Sequence, residues 1–323
     1  MSVHELDPTE IPHKGMSTEP QSPGPHGRPW SELGYLVRAM RPRQWSKNVL
    51  VFMAPAAAGV LGHWHVVAHL LATFLIFCVV SSGTYLVNDV MDAASDRHHP
   101  TKRHRPVASG MLRPEWALGV GGALIVVGGA MAMLVGPVDL ALVVGAYAAL
   151  SLAYSLRLKR EPVIELALVA SGFVLRAVAG GVAVHVPLSS WFLVFTSFAA
   201  LFVVVGKRSA EFARLGDGRG SHRPVLDQYT KSFLQSTLTL TATVSVAAYC
   251  LWAFERSGLL THVGHNVLWV QLTVIPVILA VLHILRLLDA GRGGEPEELA
   301  LRDHLLQGYG VLWLALMCAG LYA

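Results

Sequence analysis

The sequence predicts an all-α, polytopic membrane protein of about nine spans, and three observations carry that prediction. Hydrophobic residues make up 53% of the 323-residue chain and charged residues only 14%, whereas soluble domains run near a quarter charged; mean hydropathy is +0.50. The apolar residues are gathered into runs long enough to cross a bilayer at about 1.5 Å per helical residue. The basic residues, finally, alternate from one connecting loop to the next. A net charge of +4 is too slight to indicate a nucleic-acid partner. Cys78, Cys250 and Cys318 each lie within an apolar run, so neither a disulfide framework nor a cysteine metal site is expected.

Residues 1–29, rich in Pro, His, Ser, Gly and Glu, read as a disordered cytoplasmic tail; they lack the apolar stretch of a signal peptide. Residues 30–46 read as an interfacial helix and lead-in, with Trp30, Leu33, Val37 and Met40 at helical spacing. The transmembrane domain then occupies 47–323, with spans at roughly 47–62, 66–88, 115–135, 138–155, 162–184, 188–206, 230–255, 267–287 and 305–322. The short connections at Gly62–His65 and Gly136–Pro137 carry no Lys or Arg. The opposite loops carry nearly all of them: Arg38, Arg41, Arg43 and Lys47; Arg97 through Arg113; Arg157, Lys159 and Arg160; Lys207 through Arg223; and Arg286, Arg292 and Arg302. Arg256 is the exception on the other side. This pattern predicts an integral plasma-membrane protein with a cytoplasmic N-terminus, an outer C-terminus and its chemistry on the cytoplasmic side. The outer His63, His65, His185, His262 and His265 lack a completing ligand and read as interfacial residues.

The second span ends in Asn88-Asp89-Val90-Met91-Asp92-Ala93-Ala94-Ser95-Asp96. If the helix continues past the bilayer edge, Asn88, Asp92 and Asp96 form one ridge, and Asp89 falls within about 100° of it. Mutually repelling carboxylates beside a membrane ask for a counter-cation. All-oxygen ligation by Asp89, Asp92 and Asp96 suits Mg²⁺, which completes its shell with water and substrate phosphate; a solvated acidic helix end is the alternative. The next loop supplies Lys102, Arg103 and Arg105, cations that fit an oligophosphate, though a cytoplasmic loop is basic in any case. Arg176 lies about 21 Å along a helix from Pro162, too deep for an interface residue. The sequence does not identify its partner. Gly172, Gly180 and Gly181, and Gly119, Gly121, Gly122, Gly128 and Gly129, read as packing surfaces.

Asn88–Asp96 resembles the Asn-Asp-x-x-Asp-x-x-x-Asp signature of UbiA-type intramembrane prenyltransferases, a nine-helix fold with a central polar cavity opening at one membrane face. Four segments are similar, more narrowly, to the decaprenyl-phosphate phosphoribosyltransferase branch of actinobacterial cell-wall synthesis. They are Arg41–Asn48, Asn88–Arg103, Tyr154–Lys159 and Ser171–Gly181; Gly206-Lys207-Arg208 with Glu211 fits less tightly. The resemblance spans about residues 36–290. Members that use prenyl diphosphates resemble one another in a second Asp-x-x-x-Asp cluster; here that loop reads Lys207–Arg214, followed by Asp217 and Asp227.

One acid cluster with several basic segments therefore implies one diphosphate donor and one monophosphate acceptor, in this branch phosphoribosyl pyrophosphate and a polyprenyl (decaprenyl) phosphate. The resemblance also implies substrate contacts from Asn88, Arg43, Lys47, Tyr154, Arg157, Lys159, Lys207 and Arg208. Arg43 and Lys47 serve equally as interface anchors, and snorkelling explains part of the charge at Arg157 and Lys159. Glu165, in the first turn of its span, suits the helix dipole or a ribose hydroxyl or second metal ion. Two rivals stay open: prenyl transfer to an aromatic or other acceptor, against which the missing acid cluster speaks, and membrane transport, against which the absence of internal repeats speaks. A homo-oligomer is compatible with the sequence, and lipid chain length is not encoded in it.

Overall fold

The computed structural model describes residues 29–215, 224–261, 267–291, 299 and 302–322. The tail expected at 1–29 lies outside them apart from Pro29, as do Asp217, Arg219, Arg223, His262, His265 and Arg292. The described residues fold into helices: α1 (Pro29–Ala39), a 3₁₀ segment (Pro42–Phe52), α2 (Met53–Ala57), α3 (Trp64–Arg97), α4 (Pro114–Val135), α5 (Val138–Leu156), α6 (Ile164–Ala183), α7 (Ser190–Leu215), α8 (Lys231–Thr261), α9 (Val267–Leu272), α10 (Val274–Asp289) and α11 (His304–Tyr322). Among the described residues eight helical stretches are long and apolar enough to cross a membrane. They coincide with eight of the expected spans.

The other expected span, 47–62, is not a regular α-helix. Its place is taken by the 3₁₀ segment and α2. Eleven residues at about 2.0 Å and five at about 1.5 Å reach roughly 30 Å, the thickness of the hydrocarbon layer. The two ends are pinned at opposite ends of the bundle: Arg41 pairs with Asp89, and Arg256 Nη2 donates to Ala58 O at 2.7 Å. Pro55, in α2, has no N–H to bond the Val51 carbonyl four residues back, which leaves that carbonyl free near the join of the two segments. That carbonyl instead lies against Gly180 of α6, so close that a Cβ there would overlap it. Pro276 acts the same way on Leu272 and separates α9 from α10.

Gly83 of α3 and Gly121 of α4 face each other's backbones: a Cβ on Gly83 would lie 2.6 Å from Gly121 O. Gly128 meets Val80 in the same seam, whereas Gly119, Gly122 and Gly129 have open space and do not pack within the described chain. One apolar core joins α3 to α6 around Phe77, Leu140 and Tyr147; a second joins α6, α7, α8 and α10 around Leu226 and Leu234. Val126, Leu134 and Val311 are largely exposed, as lipid-facing side chains are when the bilayer is the solvent.

At 34 residues α3 is about 51 Å long, some 20 Å more than the hydrocarbon layer needs. The excess carries Asn88–Asp96 beyond the apolar zone. The lead-in α1 covers this projection, with Ala39 and Met40 packed near Leu86, Val90 and Ala93.

Candidate active site

The acid ridge forms as its spacing requires. Asp89 and Asp96 are buried on α3, at 2% and 3% exposure, while Asn88 and Asp92 are half-buried. Asn88 Nδ2 donates to Asp92 Oδ2 at 3.1 Å, the i to i+4 contact of one helical face.

Each carboxylate is met by a cation from another part of the chain. Arg41, at the junction of α1 and the 3₁₀ segment, pairs with Asp89 Oδ1 and lies 5.2 Å over the Tyr85 ring. Arg105 Nη1 donates to Asp96 Oδ2 at 2.7 Å and approaches Asp89 Oδ1 at 3.4 Å. Lys159, from the turn after α5, pairs with Asp92 Oδ1. Oδ2 of Asp89 and Oδ1 of Asp96 stay outside these pairs. Among the described residues no group of three ligands is gathered tightly enough to hold a metal ion. The donor set fits Mg²⁺ in kind, being hard oxygen throughout. In this structure, though, Arg41, Arg105 and Lys159 compensate its charge. These three cations are 28%, 25% and 19% exposed, so they line the solvent side of buried acids.

Beside this cluster opens a cavity of about 150 Å³, lined by Arg38, Ala39, Arg41, Asp89, Thr101, His104, Arg105 and Pro106. Asp89 is its single acid.

Of the residues expected to bind substrate, the structure gathers Asn88, Arg105 and Lys159 with the three aspartates. Lys102 is half-buried and Arg103 exposed on the loop behind them. Lys47 turns into the bundle, with Nζ 5.8 Å from the Phe173 ring, while Arg43 is exposed one turn earlier. Arg157 is exposed at the end of α5; Tyr154 and Lys207 are half-buried.

Glu165 and Arg208 are not brought to the acid ridge. Glu165 is fully buried, and its two oxygens accept from Arg208 Nε at 2.7 Å and Nη2 at 2.8 Å. Arg208 Nη1 also donates to Glu211 at 2.9 Å. With both oxygens accepting from Arg208, Glu165 joins α6 to α7. Next to it Val163 holds φ at +66°, unusual for a β-branched residue, and its N–H donates to Tyr229 OH at 2.9 Å. Burial raises the Tyr229 phenol above its ordinary range, so it stays protonated here.

Arg176 finds neutral partners. Nε donates to Asn48 Oδ1 at 2.7 Å, Nη1 to Gly172 O at 2.6 Å and Nη2 to Tyr147 OH at 2.9 Å, while the guanidinium lies 4.6 Å from the Tyr147 ring. This ties the 3₁₀ segment to α5 and α6. Sequence reasoning missed Arg41 and Asn48 as individual contributors, although both belong to the Arg41–Asn48 segment it singled out.

A profile of the UbiA prenyltransferase family matches residues 49–307. A Mycolicibacterium smegmatis protein named decaprenyl-phosphate phosphoribosyltransferase is 41% identical over 92% of this chain and 95% of its own. One of the same name from Mycobacterium tuberculosis is 44% identical over 87% of this chain and 92% of its own. Among solved structures, a UbiA homolog from Archaeoglobus fulgidus bound to GPP and Mg²⁺ superposes with a TM-score of 0.65 at 16% identity. That match covers 88% of this chain and 98% of the homolog.

Proposed function

Because this chain belongs to the UbiA prenyltransferase family, we propose that it is an integral-membrane transferase that moves a 5-phosphoribosyl group from phosphoribosyl pyrophosphate to a polyprenyl phosphate. The products are polyprenylphosphoryl-5-phosphoribose and pyrophosphate, a precursor step for cell-wall arabinan. Support comes from relatives over 40% identical along nearly the whole chain that carry the name of this activity. The observation that carries the reading at the site is the pairing of one acid ridge with cations from three separate segments. That set suits a donor with a metal-binding diphosphate and a second anionic group.

The anomeric C1–O bond to pyrophosphate breaks and a lipid phosphate oxygen forms the new bond at C1, with inversion. The lipid phosphate is already an anion at neutral pH, so the displacement needs no general base. The demand on the protein is to hold the two anions in line and stabilise charge on the leaving group. Asp89, Asp92 and Asp96, with Asn88 beside them, would hold Mg²⁺, which would supply charge neutralisation for the departing pyrophosphate. Arg41, Arg105 and Lys159, which pair with these carboxylates in this structure, would then be free to meet phosphate oxygens, each a charge-assisted contact. The loops that bear these groups are the basic ones, so the site faces the cytoplasm and the N-terminus lies on the same side.

The test is purified protein in lipid nanodiscs with Mg²⁺, phosphoribosyl pyrophosphate and decaprenyl phosphate. The expected result is a phosphoribosylated lipid and one pyrophosphate per lipid consumed. An intact ribosyl donor, with prenylation of an aromatic acid from a prenyl diphosphate, would overturn the reading.

A further inference from the structure

We propose that the cavity bounded by Arg38, Arg41, Thr101, His104 and Arg105 is a phosphomonoester subsite that takes the 5-phosphate of the donor, separate from the place of its diphosphate. The inference rests on the phosphoribosyl-transfer reading and adds to it the means by which this donor is told from a prenyl diphosphate.

The first support is charge. Three guanidinium groups, from α1, its junction with the 3₁₀ segment and the loop after α3, border one cavity of about 150 Å³, enough for a phosphate group and a few waters. Arg41 and Arg105 both reach Asp89 Oδ1, the one acid there. Arg38 is exposed, and its side chain makes no hydrogen bond or ion pair among the described residues; its carbonyl accepts from the Arg41 N–H at 3.2 Å. Its charge suits the last turn of α1, and the guanidinium, held by no carboxylate among the described residues, is available to a ligand at the pocket rim.

The second support is backbone. Arg41 sits in the left-handed region at φ +55°, an unfavourable place for a residue with a side chain. That conformation turns the chain sharply between α1 and the 3₁₀ segment and sets Arg38 and Arg41 on the same cavity.

The third support is division of the ridge. Lys159 serves Asp92, whereas Arg41 and Arg105 serve Asp89 and Asp96. Asp92 is the most exposed of the three acids and does not line the cavity. A Mg²⁺-diphosphate on the Asp92 and Lys159 side of the ridge, with Asp89 standing between the two places, leaves the cavity beyond Asp89 for the far end of the same donor, with the ribose between. A prenyl diphosphate has no phosphomonoester apart from its diphosphate and leaves this cavity unused.

The experiment measures binding of phosphoribosyl pyrophosphate and of inorganic pyrophosphate, both with Mg²⁺, by calorimetry on full-length protein in nanodiscs. Arg38→Gln is the variant, since it breaks no side-chain hydrogen bond or ion pair among the described residues, and Arg38→Lys is its conservative partner. The expected result is at least a tenfold loss of affinity for phosphoribosyl pyrophosphate in Arg38→Gln, partial recovery in Arg38→Lys, and pyrophosphate affinity within twofold of wild type. Equal loss for both ligands, or unchanged affinity for both, overturns the subsite while leaving the transfer reading standing. Wild-type protein that binds pyrophosphate and geranyl diphosphate but not phosphoribosyl pyrophosphate overturns both.

Discussion

Removing the charge of Glu165 separates a structural ion pair from a substrate contact. In Glu165→Gln, Arg208 stays 3% exposed and loses its bidentate partner, keeping Glu211, whose side chain is 20% exposed. Breaking a buried pair by removing one partner costs about 3–5 kcal/mol, and the surviving Glu211 contact argues for the lower end, about 3 kcal/mol. With an unfolding entropy of about 2.1 cal/mol/K per residue, the 323-residue chain has roughly 0.7 kcal/mol/K, so the loss corresponds to about 4–5 °C in Tm. Arg208→Met leaves a fully buried carboxylate uncompensated and should cost at least as much. The double variant leaves no buried charge and should be no worse than Arg208→Met alone, a coupling that additive effects do not give. Thermal unfolding followed by tryptophan fluorescence in nanodiscs reads all three. If Glu165→Gln melts within a degree of wild type while the apparent KM for the ribosyl donor rises tenfold, the carboxylate works on substrate and the structural account fails.

Asp92→Asn should abolish turnover with a Tm within about 2 °C of wild type, because it removes a metal-ligand charge from a half-exposed position; near-normal turnover at saturating Mg²⁺ would remove Asp92 from the site. Lys159→Gln should lower kcat/KM for the donor at least tenfold, since a hydrogen bond to a charged group is worth about 1.5–3 kcal/mol. Unchanged steady-state kinetics would assign that lysine to the membrane interface. Gly180→Ala should destabilise the fold by about 1–3 kcal/mol, because its methyl meets the Val51 backbone rather than a movable side chain; a wild-type melting curve would refute that contact. Asp303 accepts hydrogen bonds from His283 and from the N–H groups of Leu305 and Leu306, which hold its carboxyl below the usual range. A depressed carboxyl contributes stability above its unfolded value, near pH 4, that is lost as pH falls through its lower folded value. Docking of α11 should therefore weaken only below about pH 4, and Asp303→Asn should flatten that part of the pH profile.

How much of this was legible without the structure depends on how local the physics is. Eight spans could be placed because a membrane helix declares itself by an unbroken apolar run. The acid ridge could be placed because spacings of three and four fix which side chains share a helical face. The clustering of basic residues into alternate connections could be read because it is a property of composition alone. The departure at 47–62 was not legible from apolar length: Pro55 marks it only once Gly180 is known to lie against the Val51 carbonyl.

The pairings belong to the tertiary structure. Arg41 meets Asp89 across 48 residues of chain, Lys159 meets Asp92 across 67, Arg208 meets Glu165 across 43 and Arg176 meets Asn48 across 128. Each depends on how one helix is rotated about its axis against another, and hydrophobic periodicity blurs when nearly every face of a helix is apolar. By itself the sequence determined that this chain spans a membrane and carries an acid ridge ringed by basic loops. Only the packed bundle decided that Arg41, Arg105 and Lys159 guard the ridge while Glu165 and Arg208 hold α6 to α7, because charges distant in sequence find one another through the geometry of the helices that bear them.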